Sequence, residues 1–116
     1  MRNATELIVI TKTYDLIVWV VNHTSRFPRH HRHVLGVRIE QVLYDILELL
    51  IEAKYSKQRR SPLETTNRKL ETLRFLLRLA KDLKCLELSS YGFGAKAVDE
   101  IGRLVGGWLR GTEPTP

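Results

Sequence analysis

Apolar positions in this chain repeat at intervals of three and four residues along most of its length, which is the period of one helix face. Leu7, Ile10, Tyr14, Ile17 and Val21 follow that spacing and predict a first helix over about residues 4–25. The segment is rich in β-branched residues, which by propensity alone favour strands. The helical period sustained across it overrides that preference. Asn3 and Glu6 have the spacing of a capping box at its start. A second helix is predicted to open near Pro28, because proline suits a first helical turn where its missing N–H has no partner. Its seam is Leu35, Ile39, Val42, Ile46, Leu49 and Ala53, and about 30 residues make it roughly 45 Å long.

Ser61, Pro62 and Glu64 read as N-cap, first position and third position of a capping box that starts a third helix. That helix carries one seam of Leu63, Thr66, Leu70, Leu73, Leu77 and Ala80, and a second of Leu76, Leu79, Leu83 and Leu86. So wide an apolar arc implies contact with more than one neighbour. The SSYGFG segment (residues 89–94) is expected to be the turn that ends it. A fourth helix follows, with Val98, Ile101, Val105 and Trp108 inward. Gly102, Gly106 and Gly107 each cost a helix about 1 kcal/mol against alanine. Either Gly106 and Gly107 end the helix, or Gly102 and Gly106 admit another backbone closely, within the bundle or between subunits. Trp108 and Leu109 continue the apolar pattern beyond the glycines and favour the second reading. The expected architecture is all-α, an up-down-up-down four-helix bundle over residues 1–110 with a disordered tail at 111–116.

At 116 residues and 13.5 kDa, with 43% hydrophobic content, the chain can build one core. Its single cysteine, Cys85, excludes an internal disulfide and fits a reducing compartment. A small side chain on a helix is its simplest role. The N-terminal stretch has too short an apolar run for a signal peptide, and residues 16–21 fall far short of a membrane span. The chain is therefore expected to be soluble and cytoplasmic, with no membrane partner.

Charge changes the picture more through its distribution than its total of +6 and pI near 9.8. Residues 26–38 hold four arginines and three histidines without an acid, and residues 54–60 hold four cations without one. A third group lies on the third helix, where spacings of four and three put Arg74, Arg78 and Lys81 on one face. That face adjoins the seam, so these cations sit at the shoulder of the packing surface. Such a position is costly unless an anion or a partner chain meets them, and it points to a nucleic-acid-facing or partner-facing surface. Solvated helix faces explain each group separately but explain three together less well.

Enzyme motifs are sparse. YGFG precedes no lysine-serine pair and follows no strand, so it is no phosphate loop. His30 and His33 share a helix face while His31 points elsewhere, and no cysteine or carboxylate completes a metal site. No metal, cofactor or small-molecule substrate is expected. Arg26 and His31 have a spacing similar to that of the arginine and histidine in HEPN-family ribonucleases, where histidine is the acid/base and arginine stabilises phosphate charge. Here the pair spans Pro28 and opens the second helix, whereas in that family it belongs to a late one.

Five segments occur in the order seen in one family: KTYDL (12–16), FPRHHRHVLGVRI (27–39), LIEAKYS (50–56), LETLRFLLRLAKDL (70–83) and DEIGRLVGGWL (99–109). In this the chain resembles the accessory variability determinant (Avd) proteins of diversity-generating retroelements. The resemblance implies a four-helix protomer in a homopentameric, barrel-like ring with a basic surface and no catalysis of its own. It also implies partners: the element's error-prone reverse transcriptase, RNA and the adenine-mutagenised cDNA copied from it. The family's functionally important arginines fall in the LRxxxRL part of helix three, here Arg74 and Arg78. Lys81, Arg29, Arg32, Arg38 and Arg103 are added as candidates by charge and position alone. The bundle proteins encoded by intervening sequences in ribosomal RNA share the FPR segment and are the structural alternative. The histidine-rich run after Pro28 departs from the expected pattern and would tune binding near neutral pH if it has a role. Few exposed aromatic residues are expected, so binding should depend on charge and shape rather than on base readout.

Overall fold

The computed structural model describes residues 2–112, with side chains from Thr5 onward. Four helices account for nearly all of it. Helix α1 is Arg2–Thr24. Helix α2 covers residues 29–55 in three pieces: an α-turn at Arg29–His31, a π-helical segment at Arg32–Gly36 and a regular helix at Val37–Tyr55. Helix α3 is Arg60–Asp82 and α4 is Leu88–Gly111. No strand occurs among the described residues. Each of α1 and α3 packs against both α2 and α4, giving a four-helix bundle of 51 × 22 × 21 Å. On the α1–α4 seam, Lys12 meets Glu100 and Trp19 meets Phe93. Seven residues forward on one helix correspond to seven residues back on the other, so the two are antiparallel.

The inward faces of α3 and α4 match the expected seams. Leu63, Thr66, Leu70, Leu73, Leu77 and Ala80 are buried on α3, and Val98, Ile101, Val105 and Trp108 on α4. Of the second α3 seam only Leu86 is fully buried; Leu79 and Leu83 lie outward, at 44% and 43% exposure. On α2 the seam is as expected except that Leu50, not Leu49, completes it.

Helix α1 differs. Its core face is Val9, Leu16 and Val20 with Glu6, Thr13 and Thr24, whereas Leu7, Tyr14 and Val21 of the expected seam are exposed. The helix is apolar nearly all round, and its polar residues on the core side made the wrong arc look inward. Thr13 is tolerated there because its hydroxyl donates to the Val9 carbonyl at 2.9 Å, leaving only its methyl to pack. Thr24 donates to the Glu40 carboxylate of α2.

Three boundaries also move. The Asn3 side chain of the expected capping box lies outside the described residues, and Glu6 turns into the bundle toward Arg59 at 3.8 Å. Helix α3 begins before Ser61, because Leu63 N–H closes onto the Arg59 carbonyl at 3.2 Å. Ser61 is therefore inside the first turn, with no side-chain cap, and Glu64 pairs with Arg60 instead. The turn between α3 and α4 is not SSYGFG, which lies within α4. The chain reverses at residues 83–87, where Cys85 N–H reaches the Ala80 carbonyl (2.8 Å) and Lys84 N–H the Lys81 carbonyl (2.9 Å). This is a Schellman closure with Lys84 at φ 64°, the left-handed position usually given to glycine.

The glycines of α4 do not end it. Helix α4 runs through Gly106 and Gly107 to Gly111, one residue beyond the expected end of the bundle. Within this chain Gly102 meets a guanidinium, that of Arg74, rather than another backbone. Gly94 is the close-approach glycine: a Cβ there would stand 3.0 Å from the Trp19 ring. Residues 113–116 of the expected tail lie outside the described residues.

Candidate nucleic-acid and protein interface

The α3 cations stand where their spacing placed them, on the shoulder facing α4, and carboxylates of the same chain meet them. Arg74 donates through Nη1 to Glu71 at 2.9 Å and through Nε to Asp99 of α4 at 3.0 Å. Arg78 is 4.0 Å from Asp82. Lys81 is 3.3 Å from Asp82 and lies over the Tyr91 ring, 4.9 Å from its centroid. The anions that a shoulder position demands are thus supplied internally, and Arg74 ties α3 to α4.

The other candidates are more open. Arg29 and Arg38 are exposed and make no ion pair among the described residues, while Arg32 reaches only the Phe27 carbonyl, at 3.5 Å. Arg103 is exposed on α4 beside Glu100. Lys69 on the opposite shoulder of α3 pairs with Asp45 of α2 at 3.3 Å. The α2 arginines and the α3 row therefore flank α3 from different sides and do not merge into one patch.

The Arg26–His31 pair is not assembled. The His31 ring packs on His30 at 4.0 Å between centroids. Arg26 instead borders a cleft of about 380 Å³ with His23, Cys85, Glu87 and Ser90. Burial pushes the Cys85 thiol above its ordinary value, which disfavours the thiolate a nucleophile needs. No group of three or more potential metal-ligating His, Cys, Asp or Glu side chains occurs among the described residues. No helix is long and apolar enough to cross a membrane.

Three features escaped sequence reasoning. Five aromatic residues are exposed, against the expectation of few: Tyr14 at 59%, Tyr44 at 42%, Tyr55 at 78%, Phe75 at 60% and Phe93 at 59%. Second, Leu7, Tyr14, Val18 and Val21 on α1 and Val37, Tyr44 and Ile51 on α2 are exposed at helical spacing. The two rows lean toward each other across the α1–α2 groove, which Thr24 and Glu40 bridge. The near-heptad spacing of α1 was visible but was read as its core face. Third, a groove of about 170 Å³ between α1 and α4 is walled by Trp19 and Phe93 and closed by the Lys12–Glu100 pair at 2.7 Å.

A compact helical bundle with a divided basic surface, an outward apolar face and no assembled catalytic group is the form of a binding or assembly protein. Residues 7–112 match the model of the bAvd-like family, and the chain belongs to that family. Its members are generally accessory, non-catalytic proteins. No curated protein matches the chain.

Proposed function

We propose that this protein is the accessory factor of a diversity-generating retroelement, binding the error-prone reverse transcriptase and its RNA while the polymerase performs the chemistry. The observation that carries this reading is the family match over residues 7–112. Two surface features support it. The apolar rows on α1 and α2 are larger than scattered surface residues require, and they suit burial between copies of the chain in a homopentameric ring. A ring repeats each protomer's net +6, concentrating positive potential for RNA and its cDNA product. Arg29, Arg32, Arg38 and Arg103 are offered to phosphates or to acidic patches of the polymerase. Arg74, Arg78 and Lys81, already balanced by Glu71, Asp82 and Asp99, act as a shaped polar surface rather than as bare charge.

The test is light scattering with co-purification. The wild-type chain should run near five times 13.5 kDa and retain the element's reverse transcriptase. A Tyr14→Glu/Val18→Glu variant should fall to a folded monomer and lose the polymerase. A monomeric wild-type protein that binds neither polymerase nor RNA would refute the proposal.

A further inference from the structure

The turn between α2 and α3 carries the least neutralised charge around any cleft of the molecule. No acid lies between Glu52 and Glu64, while Lys54, Lys57, Arg59 and Arg60 all do. Lys54 and Lys57 make no ion pair among the described residues. Arg60 pairs with Glu64 at 3.2 Å. Arg59 donates Nε–H to the Ser56 carbonyl at 3.1 Å, but its Nη1 is shut off from solvent without a hydrogen bond, 3.8 Å from Glu6. Lys57, Gln58, Arg59 and Arg60 line a cleft of about 500 Å³ whose far wall is Gly111 and Thr112 at the end of α4. Helix α3 starts at this cleft with no side-chain cap, so the positive end of its dipole adds to the field there. Just before the turn stands Tyr55, 78% exposed, with the Lys54 ammonium 5.4 Å from its ring centroid.

Cations around a cleft, a helix start and a bare aromatic ring beside them match the needs of a single strand of nucleic acid: phosphates in the groove and a base on the ring. A duplex offers no unstacked base to the ring. The cleft at the opposite end of the bundle is a poorer fit, since Glu87 opposes Arg26 there. We propose that the α2–α3 turn is a single-stranded RNA contact, with Lys54, Lys57 and Arg59 taking the phosphodiester and Tyr55 stacking on an adjacent base. This rests on the RNA-binding part of the proposed function and gives it a location that excludes the α3 row.

The test is fluorescence anisotropy with a labelled single-stranded RNA 20-mer and an abasic oligonucleotide of the same length, across a potassium chloride series. Lys54→Ala/Lys57→Ala removes two cations that hold no ion pair, so the fold should survive, as circular dichroism will check; Lys57→Ala alone is the fallback. The double variant should bind roughly tenfold more weakly at low salt, with the log-log salt slope reduced by about 1. Tyr55→Ala should weaken the RNA by roughly tenfold and leave the abasic strand unchanged. If both variants bind as wild type while Arg74→Ala/Arg78→Ala loses the RNA, this assignment is overturned and the accessory-factor reading stands. If the wild-type protein binds no RNA, the RNA part of the proposed function falls and this inference falls with it.

Discussion

Arg74 on α3 donates its Nε–H to Asp99 on α4 at 3.0 Å, and the Nη2 of the same guanidinium lies 2.9 Å from where a Cβ on Gly102 would project. Glycine at 102 therefore gives the guanidinium room to lie against α4. Alanine there gains about 1 kcal/mol of helix propensity but must push aside the end of a flexible side chain. The gain should appear in full only in an Arg74→Ala background. Arg74→Ala alone should cost less than about 1 kcal/mol, since the pair is partly solvent-screened. Urea denaturation of the four proteins closes the cycle, and equal gains from Gly102→Ala in both backgrounds would remove Arg74 as the reason for that glycine.

Gly94 faces a less forgiving neighbour. A Cβ there would approach two atoms of the Trp19 ring at 3.0 and 3.1 Å, with Leu77 at 3.5 Å. The ring is rigid and is held from two sides, by His23 at 4.0 Å and Phe93 at 5.4 Å between centroids. Overpacking of this kind costs typically 1–3 kcal/mol, which outweighs the roughly 1 kcal/mol of propensity an alanine brings. Gly94→Ala should therefore lower the thermal midpoint, and Trp19→Phe, whose ring is shorter, should largely restore it. A Gly94→Ala protein more stable than wild type would show that Trp19 moves at little cost.

These two glycines also show what a sequence can and cannot disclose. The seams of α3 and α4 were legible because each helix has a clear polar face opposite its leucines or its Val98, Ile101, Val105 set. Helix α1 was not, because Thr13 and Glu6 occupy its core side while Leu7, Tyr14 and Val21 are exposed. Gly92 and Gly94 looked like a turn, yet the chain reverses earlier, at a lysine that local composition does not mark. The cations of the α3 row could be read from spacing alone. Asp99, which neutralises one of them, is 25 residues away and became visible only when α4 packed beside α3.

Lys84 holds that reversal at φ 64°, a conformation that places a Cβ close to the following carbonyl. Left-handed backbone costs a non-glycine residue roughly 1–2 kcal/mol, while glycine pays more entropy when it orders. Lys84 is exposed and makes no ion pair among the described residues, so its replacement sacrifices little else. Lys84→Gly should raise stability by about 1 kcal/mol without changing the assembly state. Loss of stability in that variant, measured by chemical denaturation, would mean that the lysine side chain contributes more than the strain it carries.

The Lys12–Glu100 pair ties α1 to α4 at 2.7 Å and gives the clearest pH dependence. The Lys12 hydrogen bond, then its charge, holds the Glu100 carboxyl below the ordinary glutamate value of 4.5, with smaller help from Arg103 and Lys96 and against a desolvation effect. A carboxylate whose pKa is lowered by folding binds fewer protons in the native state than in the unfolded one. Its contribution is thus complete above the unfolded value and is lost as pH falls through the folded one, the acid side of about 4.5. The pair is exposed, so its share of the total stability is small. The site-specific readout is sharper: a carbon-13 titration of the Glu100 carboxyl should show its midpoint below that of an unpaired glutamate, and Lys12→Ala should move it up toward the ordinary value. An unchanged midpoint in Lys12→Ala would mean that the 2.7 Å contact is not maintained in solution, and the groove between Trp19 and Phe93 would then stand open on that side.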